Sequence, residues 1–204
     1  MTRRLLLATN NGGKLVELRR ILDPIVDVEL VGLGDVPAYD EPPETGATFA
    51  DNALIKAREA ALRTGLASVA DDSGLTVAAL NEMPGVLSAR WSGSIGGRLR
   101  DDALNLALVL DQIADVPDVR RGGGFSCTAA LVLPDGREWV EHGRLEGTIA
   151  REPRGSNGFG YDPIVVPLGE TRTTAEMPSG EKDAISHRGR ALRALAPHIA
   201  AALG

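Results

Sequence analysis

The sequence predicts an α/β protein with a mixed sheet. In the N-terminal part, short apolar runs alternate with segments of helical periodicity, a pattern typical of α/β units. Farther along, residues 125–133 and 137–143 are strand-like runs joined by a Pro-Asp-Gly turn, which predicts a hairpin and hence an antiparallel portion. A chain of 204 residues can bury a sizeable core as one large α/β domain or as a domain with lobes.

The composition limits the kinds of partner. With 28 acidic and 22 basic residues the formal net charge is -6, which argues against broad electrostatic capture of nucleic acid. The run Leu5 to Ala8 is too short for a signal peptide and no stretch could span a bilayer, so we expect a cytoplasmic protein without a membrane partner. The single cysteine, Cys127, lies in an apolar run and is expected to be a small buried hydrophobe.

The chain starts with a strand–turn–helix unit. A strand at residues 5–8 leads into the turn 9–14, and Leu15, Leu18 and Leu22 then recur at helical spacing. Such a unit aims backbone amides and a positive dipole end at one spot, which suits phosphate, with Lys14 adding a full charge. The alternative is a capped helix start with Asn at the cap and an exposed lysine.

The next elements are a strand, an acidic loop and a helix. Alternation predicts a strand over residues 25–31, and a Pro-rich segment with Asp40, Glu41 and Glu44 follows. A second helix is predicted from Phe49 to about residue 63. Lys56 lies in its middle, where a lysine is most often solvated.

Two adjacent carboxylates, Asp71 and Asp72, come where the apolar run 66–70 meets a Ser-Gly break before a new strand-like run at 75–80. A strand end that stops on acid and turns on glycine suits a metal ligand or a general base. The alternative is a polar turn between two strands. Because side chains alternate along a strand, only one of the two carboxylates can face a given cleft.

The C-terminal half offers a glycine-rich loop and a last helix. A helix with an apolar stripe from Leu99 to Ile113 precedes the hairpin, and residues 145–150 could extend the same sheet. The loop 155–163 places three glycines around a Phe and a Tyr, which suits a nucleobase or else a plugged strand connection. One helix is then predicted from near Glu181 to Leu195, ending by Pro197, with His198 at the surface beyond it.

Seven short motifs occur in one order and span residues 9 to 189, nearly the whole chain. They are Thr9-Asn10-x-x-x-Lys14-x-x-Glu17, Glu44-Thr45-Gly46, the Phe49 to Lys56 helix, Ala70-Asp71-Asp72-Ser73-Gly74-Leu75, Pro84-Gly85-x-x-Ser88-Ala89-Arg90, Gly158-Phe159-Gly160-Tyr161-Asp162-Pro163 and Ser186-His187-Arg188-Gly189. In this order the chain closely resembles the non-canonical purine nucleoside triphosphate pyrophosphatases, also called inosine triphosphate pyrophosphatases.

The resemblance implies a fold and an activity. The fold would be an elongated α/β mixed-sheet structure of two lobes with a central active-site cleft, in a single catalytic domain over residues 1–204, usually as a homodimer. The activity would be hydrolysis of inosine and xanthosine triphosphates (ITP, dITP, XTP, dXTP) to the monophosphate and pyrophosphate, with Mg2+. Its purpose would be to remove deaminated purines from the nucleotide pool.

The resemblance also assigns roles to residues. Glu44 and Asp72 would bind Mg2+, Asp72 would also activate water, and Asp71 would support it. Lys56 would add charge at the triphosphate. The triphosphate would be held by Thr9, Asn10, Asn11, Gly12, Gly13 and Lys14, with Ser73 touching substrate nearby. The base or its sugar-phosphate would meet Phe159, Gly160, Tyr161, Asp162, Lys182, His187 and Arg188.

Four points stay open at the level of sequence. The means of excluding guanine is undetermined, and Arg90 and Trp91 suit either the rim of the site or a dimer contact. A nucleotide-binding module without turnover is a rival, which the complete set of carboxylates and lysines opposes. A Maf-type pyrophosphatase is a second rival, which would lack the Ser-His-Arg segment.

Overall fold

The structure, a computed structural model, describes residues 3–94 and 101–204 and is a mixed α/β fold, as predicted. Its strands are β1 Arg4–Leu7, β2 Glu29–Gly32, β3 Ala67–Val77, β4 Met83–Pro84, β5 Gly122–Val132, β6 Glu138–Ile149 and β7 Val165–Pro167. Its helices are α1 Gly12–Leu22, α2 Phe49–Thr64, α3 Asp102–Gln112, α4 Ser179–Ile185 and α5 His187–Leu203. Leu99, predicted to begin the stripe of α3, lies outside the described residues.

The strands form a sheet in the order β2-β1-β3-β5-β6-β7, with β4 paired to β3. The pairs of β1 with β2 and with β3 are parallel, and the pairs β3 with β4 and β6 with β7 are antiparallel. The parallel pairs come from the N-terminal strand–helix units, as the alternation of apolar runs predicts. The sheet is therefore mixed.

The chain divides into two compact units. Unit 1 comprises residues 3–72, 127–143 and 187–204, and unit 2 comprises residues 73–94, 101–126 and 144–186. In unit 1, Leu5 and Leu7 pack in one apolar cluster with α1 and α5, whereas Leu6 packs in another with α2. This is the side-chain alternation of a strand that is buried on both faces. In unit 2, α3 contributes its apolar stripe to a third cluster around Leu75 and Val77.

The predicted Ser-Gly break between two strands is wrong. Strand β3 runs without a break from Ala67 through both aspartates and Gly74 to Val77. Gly74 does not turn the chain here. Its missing side chain lets Ser88 approach, and the Ser88 hydroxyl accepts a hydrogen bond from the Leu75 amide at 2.9 Å. The glycine signal therefore reflects close packing within a strand.

The second strand also differs from prediction. Strand β2 begins only at Glu29, because the amides of Ile25 and Val26 bond to the Leu22 carbonyl at the end of α1. Strand β5 begins with the three glycines at 122–124. A Cβ on Gly124 would lie 1.9 Å from the Leu145 carbonyl oxygen, so that position requires a residue without a side chain.

The predicted C-terminal helix is two helices. Ser186 has an extended conformation with ψ 152° and separates α4 from α5. Pro197 does not end α5, which continues to Leu203. An interior proline costs a helix about 3 kcal/mol, and the buried face that includes Ile199 offsets that cost. His198 is not simply exposed, since its ring stacks on Trp139 with centroids 5.9 Å apart.

Within residues 3–94 and 101–204, the structure contains no helix both long enough and apolar enough to cross a bilayer.

Replacing Gly74 with alanine should destabilise the fold. The new Cβ would lie 2.4 Å from the Gly85 carbonyl oxygen, so the backbone must shift. We expect a loss of about 1–3 kcal/mol in the free energy of unfolding, measured by urea denaturation. Gly122→Ala is the matched control, because nothing lies within 4 Å of a Cβ there, and equal stability of the two variants would contradict the prediction.

Candidate active site

The start of α1 confirms the predicted Asn cap but not the exposed lysine that was expected with it. Asn11 caps the helix by accepting a hydrogen bond from the Lys14 amide at 3.0 Å. The Lys14 side chain is nevertheless not exposed, since its ammonium lies 3.1 Å from Asp71 Oδ2 and its side chain is 15% accessible. The glycines at 12 and 13 form the first turn of the helix, where backbone N–H groups have no partner within the helix itself. The turn therefore presents amides and an ammonium group together.

Lys56 is buried, contrary to the usual fate of a helical lysine. Its Nζ donates to Glu44 Oε1 at 2.7 Å and to the main-chain oxygen of Asp71 at 2.7 Å, and it lies 3.9 Å from Asp72 Oδ1. Glu44 comes from the irregular acidic segment, and this bond fixes where its carboxylate lies. Lys56 therefore links helix α2 to the acidic segment and to strand β3.

The two aspartates of β3 point to opposite faces of the sheet, as the alternation argument predicts. Asp71 Oδ2 accepts hydrogen bonds from Lys14 and from Arg188 Nε at 3.2 Å, on the side of α1 and α5. Asp72 Oδ2 accepts one from Asn52 Nδ2 at 2.9 Å, on the side of α2. The adjacent carboxylates therefore have different surroundings.

These surroundings shift the two aspartates in opposite directions. Burial by itself would raise the pKa of Asp71, but Lys14, Arg188 and Lys56 hold that pKa far below its ordinary value. Burial raises the pKa of Asp72, and Lys56, Lys14 and the bond from Asn52 offset this only in part. Burial would lower the pKa of Lys56, yet the carboxylates around it raise that pKa, so Lys56 stays charged. Asp71 is thus a fixed anion, and Asp72 is the more basic of the pair.

Two buried residues of this cluster were missed from the sequence. Glu17 is 3% exposed and accepts a hydrogen bond from Arg188, which is itself 1% exposed. Asn52 is fully buried and also accepts from the Gly46 amide at 2.8 Å. Spacing could have found both, because Glu17 lies three residues after Lys14 and Asn52 four before Lys56, each pair on one helix face.

In unit 2, the glycine-rich loop presents an aromatic ring beside a lysine. Asp162 is buried, and its Oδ2 accepts from the Phe159 amide at 2.9 Å and from Lys182 Nζ at 2.6 Å. Lys182 Nζ lies 5.4 Å from the centroid of the Phe159 ring, which is 37% exposed. Tyr161 is buried and donates its hydroxyl to the Ser88 carbonyl at 2.8 Å. The loop is thus held at Asp162 and Tyr161 and leaves the Phe159 ring accessible.

The other predicted residues are placed as follows. Thr9 Oγ1 accepts from the Asn11 amide at 3.2 Å, and Asn10 Nδ2 donates to Glu41 Oε2 at 2.8 Å. Ser73 is half-buried within β3, and His187 is the buried first residue of α5. Unit 1 therefore brings together Lys14, Glu44, Lys56, Asp71, Asp72 and Arg188, and unit 2 brings together Phe159, Tyr161, Asp162 and Lys182.

A cavity of about 440 Å³ in unit 2 contains none of the predicted residues. Its buried arginine, Arg121, donates to the carbonyls of Ile113, Ile149 and Ala150. These bonds tie the end of α3 to the end of β6, so we interpret Arg121 as structural.

The mixed fold and the buried centre of carboxylates and lysines define a class, that of α/β proteins with a buried charged site. Comparison with known proteins identifies the family. The chain belongs to the Ham1 family, whose model matches residues 5–198.

The relatives are similar along nearly their whole length. A protein of Mycobacteroides abscessus named dITP/XTP pyrophosphatase is 61% identical over 198 residues, which cover 96% of this chain and 94% of the relative. A Nocardia farcinica protein of the same name is 60% identical over 200 residues, covering 97% and 95%. A solved structure described as a HAM1 protein from Coxiella burnetii matches with a TM-score of 0.83 at 43% identity, covering 97% of this chain and 98% of that one.

Replacing Arg188 with methionine should strongly destabilise the protein. The substitution would leave the carboxylates of Asp71 and Glu17 buried without their shared guanidinium, and Glu17 Oε1 already has no hydrogen-bond partner among the residues that the structure describes. We expect a loss of about 3–5 kcal/mol in the free energy of unfolding by urea denaturation.

The control for Arg188→Met is Arg63→Met, which breaks an exposed ion pair with Glu59. An exposed pair contributes about 0–1 kcal/mol. Similar losses in the two variants would contradict a buried charge network.

Proposed function

We propose that the protein hydrolyses ITP, dITP, XTP and dXTP to the monophosphate and pyrophosphate, and so removes deaminated purines from the nucleotide pool. The observation that carries this is the cluster around Lys56, where Glu44 and Asp72 meet one ammonium group close to Asp71 and Lys14. Relatives that are 60% or more identical and are named dITP/XTP pyrophosphatase support it.

The triphosphate binds at the start of α1. Amides of residues 9–13 and the positive end of the helix dipole hold phosphate oxygens, and Lys14 adds a full charge. Lys56 lies among the carboxylates and offsets the negative charge that gathers when a polyanion arrives. Because these donors are fixed before the substrate binds, they stabilise the charge of the transition state with little rearrangement.

The donor chemistry of this centre fits Mg2+, and Glu44 and Asp72 would hold it. In the part of the chain that the structure describes, no group of three or more His, Cys, Asp or Glu side chains forms a metal cage. Mg2+ is usually held by one or two carboxylates and completed by phosphate oxygens and water, and Glu44 and Asp72 both lie beside the Lys56 ammonium group. When bound, the ion would neutralise phosphate charge and polarise the phosphoryl oxygens.

Asp72 acts as the base. It accepts a proton from the water that attacks the α-phosphorus, while the bond from that phosphorus to the bridging oxygen breaks and pyrophosphate leaves. Asp71 is a poor base, because Lys14 and Arg188 keep its pKa far below the ordinary range. Asp71 instead positions Lys14, and Ser73 contacts the substrate beside it.

The purine base of the substrate binds against the Phe159 ring. The ring stacks on the purine, the loop residues Gly160 to Asp162 line the pocket, and Lys182 supplies a donor. Donors that face a 6-oxo group accept hypoxanthine and xanthine, whereas the amino group of adenine would leave them unpaired.

We also propose that the protein is a homodimer, which sedimentation equilibrium would measure.

Substrate choice tests the proposed function. With Mg2+ present, we expect ITP to yield inosine monophosphate and pyrophosphate, with ATP used at least about a hundredfold less efficiently, by chromatography of the products. Removing the metal with a chelator should stop turnover, and added Mg2+ should restore it. Release of orthophosphate, or equal use of ATP, would reject the proposal, and tight binding of ITP without products would favour a binding module.

An Asp72→Asn variant should lose activity without losing stability. Loss of the base should lower kcat by about 10²–10⁴-fold. Because the folded pKa of Asp72 is raised, the folded state holds its proton more tightly than the unfolded state. The proton on Asp72 therefore stabilises the folded state, and this stabilisation is lost as pH rises through the folded pKa.

Asparagine carries no charge, so the variant avoids the cost of burying an ionised carboxylate at position 72. In chelator at pH 7 we therefore expect it to be at least as stable as wild type by urea denaturation. Near-normal turnover would remove Asp72 from the role of base. A clear loss of stability would contradict the direction of its pKa shift.

A further inference from the structure

The first residue of α3, Asp102, bonds to the loop that presents Phe159. Its Oδ2 accepts a hydrogen bond from the Gly160 amide at 3.0 Å. Gly160 directly follows Phe159 and has a φ of 61°, in the left-handed region, so the chain turns immediately after the ring. None of the sequence motifs includes Asp102.

Two carboxylates hold consecutive amides of this turn. The Phe159 amide donates to Asp162 Oδ2 at 2.9 Å, and the next amide donates to Asp102. Asp162 is buried, whereas Asp102 is exposed and comes from a different element. Because the Phe159 ring is itself 37% exposed, packing alone does not fix its direction. The two backbone bonds therefore set how the ring is presented.

We propose that Asp102 is a positioning residue for nucleobase binding, which holds the Gly160 amide and thereby fixes the backbone turn from which the Phe159 ring projects. This rests on the proposed function, since it requires Phe159 to stack on the base. Without the carboxylate the Gly160 amide loses its acceptor, and of the two consecutive amide bonds only the one from Phe159 to Asp162 remains. Base binding weakens, whereas the groups around Lys14 and Lys56, which hold phosphate, keep all their own contacts.

The test compares Asp102→Ala with Asp102→Asn, which keeps an acceptor oxygen. For Asp102→Ala we expect KM for ITP to rise about three- to tenfold with kcat nearly unchanged. Inosine, which carries the base and sugar only, should inhibit that variant more weakly by the same factor, whereas inhibition by pyrophosphate should not change. Asp102→Asn should restore most of the wild-type KM.

Asp111→Ala is the matched control, because it removes an exposed carboxylate from the same helix and should keep wild-type KM and kcat. Thermal unfolding of all three variants measures the loss of α3 stability separately. Three results would overturn the proposal: an unchanged KM in Asp102→Ala, equal weakening of inosine and pyrophosphate, or no rescue by Asp102→Asn. If the wild type does not hydrolyse ITP, the proposed function fails as well, whereas hydrolysis with any of those three results rejects only the role of Asp102.

Discussion

The ammonium group of Lys56 is the contact on which the centre of unit 1 depends. It lies 2.7 Å from Glu44 Oε1 and 3.9 Å from Asp72 Oδ1, and it also binds the main-chain oxygen of Asp71. Without a cation there, buried carboxylates this close would repel one another and take up protons. Lys56 keeps a compact acidic site ionised, and helix α2 places it there rigidly.

Around that contact, the remaining charges separate two tasks. Arg188, Lys14 and Glu17 neutralise and orient Asp71 from the side of α1 and α5, so its charge is fixed. Asp72, one residue later, faces α2 and has a raised pKa. A single strand thus supplies both a structural anion and a more basic carboxylate, because its side chains alternate between two environments.

The sequence predicted the mixed α/β class, most element positions and the residues that cluster around Lys56. The class and the element positions were accessible because helical periodicity, caps such as Thr48 with Asp51, and the turn at Gly136 act locally, whereas the residues around Lys56 came from the family resemblance. The continuity of β3 through Gly74 was not accessible, since this glycine is required by its close contact with Ser88, which lies fourteen residues away in the sequence. Pro197 inside α5 was also missed, because tertiary packing of Ile199 outweighs a local preference. The roles of the site residues remain predictions, since they came from the family resemblance.

The continuity of β3 also bears on how this site can evolve. Asp72 is the last residue of unit 1 in this strand and Ser73 the first of unit 2, so one unbroken run of alternating side chains crosses from one unit to the other. A substitution there changes one side chain, but inserting or deleting one residue would exchange the faces of every residue beyond it. Such a change between residues 67 and 71 would turn both Asp71 and Asp72 to the opposite face of the sheet even though both remained. The length of this strand is therefore more tightly constrained than the identity of most of its residues.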